Sequence, residues 1–403
     1  MRLFRLSTAY PDYLRGFYAR RPDLARLPWA EQRQALDRDA FGWADAWTRA
    51  LAPLGYEVME AYLNAETPQR AWAREFAPDR GDAPLAAIAA AQLRAFAPDV
   101  LWFDHHDARL LAALRAEAPS IRRVLGWSGS AIPAGDAWPA MDVVLSCAPE
   151  SVEWFRARGL KAEQLHHAFD PDVSARLLAR PPSIDVSFVG QFSREHRFHL
   201  GRERLLESVL GDCPVTVFGM APERGAGAAA RGVARGIVGA ADRVLGGLGV
   251  PERARAAVPV LRRAPEWRGR ARGALSPRVR GALQPPRFGL ELFQTLQDSR
   301  ITLNIHADSS PRFASNMRLF EATGVGACLL TDWKENLPEL FEPDREVVTY
   351  RDAAECVSKI RWLLDHPDER QAIARAGRAR TLARHTFAER AVRLDSIVRE
   401  VMA

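Results

Sequence analysis

RITLNIHADSSPRFASNMRLFEATGVGACLLTD, residues 300–332, decides how the rest of the chain is read. Ile301 to His306 is a short apolar, β-branched run, the composition of a buried strand. A polar loop follows from Ala307 to Ser315. Asn316 to Thr323 has helical character, with Ser315 or Asn316 as the expected N-cap and Gly324 at its end. Val325 to Leu330 is a second apolar strand. Strand, loop, helix and strand in this order form the half-module of a parallel sheet.

The loop of that module leaves a strand at its carboxyl end and enters a helix at its N-terminus. Free N–H groups and the helix dipole favour an anion there, and open α/β sheets bind ligands outside those strand ends. Ser309, Ser310, Arg312, Ser315, Asn316 and Arg318 supply hydrogen-bond donors suited to phosphate oxygens. Glu321 lies too far into the helix to cap it. Its carboxylate can accept from two vicinal hydroxyls, such as those of a ribose, or it can pair with Arg318 at i, i+3. Spacing leaves both readings open.

A chain of 403 residues is too long for one ordinary core, so two domains are expected. No apolar run approaches the roughly 20 residues that a membrane span needs, and charge and proline interrupt the amino terminus where a signal peptide would be apolar. Cys147, Cys213, Cys328 and Cys356 are widely spaced, without a zinc or disulfide pattern, which fits a reducing cytoplasm. The net charge of +6 is local in origin. Residues 221–287 hold fourteen arginines against four acidic residues, which leaves the remainder of the chain acidic. Whole-protein nucleic-acid binding is therefore a poor inference.

Strand-like runs alternate with helices along the first half: strands at Leu3–Ser7, Tyr56–Ala61, Val100–Phe103, Val124–Trp127, Asp142–Cys147 and Ala162–Phe169. Pro28 to Leu54 reads as one helical region. Prolines flank a connection at 171–183, and the alternation restarts with Asp185–Val189 and Val215–Gly219. The spacing thus predicts α/β architecture, two doubly wound parallel-sheet domains over 1–170 and 184–385. The Arg/Gly-rich stretch 221–287, with no clear apolar period, reads as an insertion in the second domain. Phe387 to Met402 reads as a last helix.

NMRLFEATGVGACLLTD, followed by NLPELFEPDREVVTY and HPDERQAIARAGRARTLARHTF, resembles the carboxy-terminal signature of the spore-maturation-protein type of glycosyltransferase. That family is distantly related to the large group 1 glycosyltransferases, which have the two-domain GT-B fold. The resemblance is densest over Phe288 to Met402 and continues loosely through DVSFVGQFSREHR. It implies two Rossmann-like domains facing a cleft. The second would bind a nucleotide-diphosphate sugar and the first an acceptor, with residues 386–403 packing back on the first domain. The implied reaction is metal-independent sugar transfer to an acceptor hydroxyl of a cell-surface polysaccharide, glycolipid or protein glycan. No cofactor is expected, and arginines and helix N-termini would replace a divalent ion at the leaving diphosphate.

On this resemblance Arg194 and Arg197 occupy the place of the group 1 arginine and lysine, although Gln191 departs from the pattern. Glu321 matches the ribose-binding glutamate. Phe313 stands where a second, donor-contacting glutamate would fall, so Asn304, His306 or Asp308 becomes the nearest polar candidate. His105 and His106 end a strand of the first domain, where a histidine can serve as base on the acceptor, with Asp104 or Asp107 to orient it. Ordinary loop polarity explains the same residues, and His166 with His167 reads as structural. The D-x-D triplets at Asp37–Asp39 and Asp170–Asp172 fall in a helix and a linker, not after a buried strand. Neither G-x-G-x-x-G nor a P-loop motif is present, which argues against an NAD dehydrogenase and a P-loop ATPase.

The basic stretch 221–287 suits an anionic membrane surface, an anionic acceptor polymer, or no partner at all. Cytoplasmic location, peripheral at the inner face of the membrane, follows from the first of these. A nucleotide-sugar epimerase on the same fold and a non-catalytic nucleotide- or carbohydrate-binding protein remain as alternatives. Glu321→Ala is expected to weaken nucleotide binding and leave the fold intact.

Overall fold

The computed structural model describes residues 1–129, 131–133, 135–192, 198–220, 226–251, 254–255, 257–258, 261 and 275–403. Twelve strands among them build two six-stranded sheets, every pair parallel. The first sheet contains β1 (Arg2–Ser7), β2 (Glu57–Tyr62), β3 (Val100–Phe103), β4 (Arg123–Ser128), β5 (Val143–Ser146) and β6 (Ala162–Gln164), in the order β2-β1-β3-β4-β5-β6. The second contains β7 (Ile184–Val189), β8 (Thr216–Phe218), β9 (Leu283–Gln284), β10 (Ser299–Asn304), β11 (Cys328–Asp332) and β12 (Val348–Tyr350), in the order β12-β11-β10-β7-β8-β9. Parallel strands need helical crossovers and are covered on both faces. Accordingly β3 and β5 are buried along their whole length.

Strand order reverses beside the first strand of each sheet: between β1 and β3, and between β7 and β10. Loops leaving such neighbours diverge to opposite faces and open a crevice at the carboxyl ends. The loop after β10 is the one whose sequence opened the reading, so topology places it at the switch point of the second sheet.

The expected helix over 28–54 is two helices, Trp29–Arg38 and Ala46–Leu51. Ala40, Gly42 and Ala44 between them have positive φ of 54°, 63° and 43°. External partners satisfy the carbonyls of the broken end: Leu290 N–H donates to Asp39 O at 2.7 Å, and Arg176 Nη1 donates to Asp37 O and Arg38 O. Tertiary contacts thus replace the hydrogen bonds that a continuous helix would make. The expected strand to Phe169 stops at Gln164, the end of β6. The arginine-rich stretch is more regular than its composition suggests. It carries a helix at Ala226–Gly247, another at Pro277–Ala282, and the edge strand β9.

The last helix, Phe387–Met402, buries Phe387, Ala391, Leu394, Ile397 and Val401 against Trp47, Leu51, Val100 and Trp102 of the first sheet's core. Phe169 and the residues before that helix are joined along the backbone, Phe169 N–H to His385 O at 2.8 Å and Phe387 N–H to Phe169 O at 3.2 Å. The Phe169 ring lies against Gly324, where a Cβ would come within 2.3 Å of it. Among the described residues no helix is long and apolar enough to cross a membrane.

Candidate functional site

The central helix begins at Arg318, with Met317 as N-cap and no side-chain cap, so neither Ser315 nor Asn316 caps it as expected. It ends in the left-handed Gly326, two residues beyond the expected Gly324. Asn316 instead pairs with Asn304 across the loop's mouth, its Nδ2 donating to Asn304 Oδ1 at 2.7 Å. Asn304 Nδ2 donates in turn to Thr331 Oγ1 at 2.9 Å, and Tyr350 Oη donates to Asn304 O at 2.8 Å. Asn336 fixes the middle of the loop, accepting from Ala314 N–H at 2.6 Å and donating to Ala314 O at 3.1 Å. Lys334 Nζ donates to Pro311 O at 2.9 Å. A loop of polar residues is thereby held in one shape from both ends and the centre.

Glu321 is buried, 7% exposed, and accepts from Arg318 Nη1 at 2.6 Å, so the i, i+3 pairing is realised. Arg318 Nη2 also lies 3.4 Å from Val189 O at the end of β7. A crevice opens over this carboxylate between the two halves, walled by Trp43, Ala44, Ala168, Met317 and Phe387. Glu321 and Asp170 are the two carboxylates on its otherwise apolar lining. Because the pair is buried, Glu321→Ala would leave the Arg318 guanidinium without its counter-ion, a cost to weigh in reading that variant. Glu321→Gln keeps the shape and one acceptor.

Of the nearest polar candidates for the donor sugar, Asn304 and His306 are buried and Asp308 is exposed. Asn304 is spent as described. His306 is buried with Nδ1 2.7 Å from Asp332 Oδ1, and its Nε2 is buried without a partner. Burial works against ionisation of Asp332, but His306 and Lys334 outweigh it and hold the carboxyl well below its usual range. Asp308 Oδ2 accepts from Gly201 N–H at 2.9 Å and so caps the helix Leu200–Asp212. Ser310 and Ser315 are buried, with Ser315 Oγ donating to Ser310 Oγ at 3.2 Å. Arg312 is exposed and pairs with Glu335 at 2.9 Å. Ser309 sits in the same loop, engaged with neighbouring groups. Arg194 and Arg197 lie outside the described residues.

Arg202 was not singled out from the sequence and ties the switch point together. Its Nη1 donates to Gln191 O at 2.8 Å and its Nη2 to Ile305 O at 2.9 Å, bridging the loops after β7 and β10. Burial lowers its pKa to about 10. Nothing marked it among the many arginines, since its partners are backbone carbonyls 11 and 103 residues away.

At the first sheet's switch point Asp104 is locked in an ion pair. Its Oδ2 accepts from Arg5 Nη2 at 2.6 Å, and Arg5 Nη1 donates to Glu60 Oε2 at 3.0 Å. Arg5 also lies 4.3 Å over the Trp43 ring. Burial raises the Asp104 pKa against the opposing charge of Arg5, and its Oδ1 is buried without a partner. Asp107 caps the helix Ala108–Glu117. His105 is half-buried, and burial lowers its pKa while a hydrogen bond to the Ser7 backbone opposes that. Its Nε2 has no partner. His106 is lowered by burial as well, with Nε2 3.4 Å from Trp127 O. His166 and His167, pushed down to about 4 and about 3 by burial, are structural. Among the described residues no group of three or more His, Cys, Asp or Glu side chains is placed to hold a metal.

A family profile described as "Glycosyl transferase-like" matches residues 253–396. No curated protein sequence matches the chain. Solved structures match over its full length at low identity. Sucrose-phosphate synthase from Thermosynechococcus elongatus is 10% identical with a TM-score of 0.52, covering 100% of this chain and 99% of that one. HepE of Anabaena, solved in complex with UDP and glucose, is 12% identical with a TM-score of 0.52, covering 99% and 100%. The OtsA apo structure is 12% identical with a TM-score of 0.50, covering 100% and 99%. With two parallel six-stranded sheets, the fold is GT-B.

Proposed function

We propose that the chain is a glycosyltransferase that moves a sugar from a nucleotide-diphosphate donor to an acceptor hydroxyl, without a metal. One observation carries this reading: a buried carboxylate, Glu321, and its Arg318 partner stand at the head of the interdomain crevice, at the switch point of the second sheet. The carboxylate suits the ribose hydroxyls. Arg318 and the donor-rich loop 307–317 supply positive charge and hydrogen bonds to the departing diphosphate, the role that the sequence resemblance also gives to Arg194 and Arg197. The resemblance of the carboxy-terminal motifs to the spore-maturation type and the match of residues 253–396 point the same way.

In this reading His105 is the base. Burial lowers its pKa, which favours the neutral form that a base must have, and its buried Nε2 is without a partner. It takes the proton of the acceptor hydroxyl as that oxygen bonds to the anomeric carbon and the bond to the diphosphate breaks. The shared electron pair leaves with the diphosphate, and closure of the cleft excludes water. The acceptor belongs to a polysaccharide, glycolipid or protein glycan. Ile237 and Val244 lie exposed on the helix Ala226–Gly247 and Leu248 just beyond its end, within the arginine-rich segment, which supports peripheral contact with an anionic membrane at the cytoplasmic face.

The test is calorimetry with nucleoside diphosphates, followed by incubation with their sugars. Wild-type chain binds one nucleotide and releases it slowly from the matching donor, and Glu321→Gln weakens that binding about tenfold. No binding across the panel would refute the reading.

A further inference from the structure

Glu150 is the second residue of the helix Pro149–Arg156 in the first domain, where an acidic side chain ordinarily does no more than favour its own helix dipole. Here it reaches across the interface into the loop after β10. Its Oε1 accepts from two consecutive backbone amides, Arg312 N–H and Phe313 N–H, both at 3.1 Å. The Ser310 hydroxyl lies 3.2 Å from Oε2. Two successive main-chain N–H groups converging on one carboxylate oxygen form an anion nest, while the Ser310 hydroxyl has a single proton for Oε2 and for Phe313 O, which is nearer at 2.8 Å. The charged side chains around it are already engaged, Arg312 with Glu335 and Lys334 with Pro311 O and Asp332. The anion that satisfies the nest therefore comes from 160 residues away, in the opposite domain.

A phosphoryl oxygen asks the same of these amides as a carboxylate oxygen does, and the two cannot use them at once. We propose that Glu150 is a built-in occupant of the anion slot in the donor loop, and that the donor's diphosphate displaces it. Displacement frees the helix Pro149–Arg156 from the loop, so donor binding and release of an interdomain latch are one event. This rests on the reading of the loop as the donor's phosphate site. Glu150 acts through the loop and is a positioning residue.

The experiment compares wild type, Glu150→Gln and Glu150→Ala. Calorimetry uses a panel of nucleoside diphosphates and inorganic pyrophosphate, and small-angle scattering reads the radius of gyration of the free chain. Removing an internal competitor raises the fraction of open slot. Glu150→Ala is expected to bind the cognate diphosphate about tenfold more tightly. Glu150→Gln falls between, because its amide oxygen still accepts from both N–H groups but carries no charge. A merely structural residue would give weaker binding on removal, never tighter. The free alanine variant is expected to be more extended than wild type.

Equal or weaker affinity in variants that keep the wild-type circular dichroism would overturn the proposal while leaving the nucleotide reading in place. A wild-type chain that binds no nucleoside diphosphate, with variants that still extend, would support the latch and remove the donor as its trigger. An unchanged radius of gyration would overturn the latch itself.

Discussion

Both sheets reverse strand order beside their first strand, with two strands against four in the first sheet and three against three in the second, and the two switch points are furnished differently. Beside β1 and β3 the ionic groups neutralise one another: Arg5 is closed on by Glu60 and Asp104 and covered by Trp43, and the histidines nearby are held neutral. Beside β7 and β10 the loop presents two successive backbone amides to Glu150, and the Arg318 guanidinium closes on the buried Glu321. The same backbone geometry therefore offers a crevice twice but an anion site once. Fold provides the place, and side-chain chemistry decides what the place can hold.

The contrast is broken most forcefully at Arg5. Arg5→Ala leaves two buried carboxylates without their counter-ion and should lower unfolding stability by about 3 to 5 kcal/mol, measured by urea denaturation. Affinity for a nucleoside diphosphate should stay unchanged in the fraction that remains folded. A loss of affinity of similar size would mean the two switch points are not separable.

His105→Asn sharpens the division from the other side. It should reduce turnover about a hundredfold with donor affinity preserved. In the wild type, burial lowers the His105 pKa, so the acid limb of the rate profile should lie below the ordinary value near 6.5. An acid limb above 7 would remove His105 as the base.

A third expectation concerns the buried histidines where the last helix crosses. His166, His167 and His385 are pushed down to about 4, about 3 and about 4, by burial first. Their pKa values are lower folded than unfolded, so the unfolded chain takes up protons first as pH falls. Stability should be full above about pH 6.5 and be lost progressively toward pH 4. Thermal melts across that window should show a falling midpoint, and His385→Asn should flatten the fall.

The smallest effect is expected on the surface. Ile237→Ser with Val244→Ser should reduce flotation with anionic vesicles severalfold and leave donor binding untouched. Equal flotation would exclude the helix Ala226–Gly247 as a membrane contact.

Much of the frame was legible because parallel strands and their crossover helices leave apolar runs of distinct length and period. Val100–Phe103 was read to the residue. The break at Ala40 to Ala44 was not, because partners in the linker and second domain stabilise it, and two of its positive-φ residues are alanines. Six residues of strand do not say which side chains face the core, so Asn304 and His306 passed as candidates although both turn inward. Glu150 and Arg202 were invisible for a related reason. Their partners are main-chain groups brought close only by the fold.

Hydrogen exchange in the presence of a cognate nucleoside diphosphate tests the contrast between the two crevices most directly. Amides of residues 305–325 should exchange more slowly when nucleotide is bound, and those of residues 104–108 should be unaffected. Protection confined to the first sheet's loops, or none in either, would contradict the assignment of the nucleotide to the second sheet.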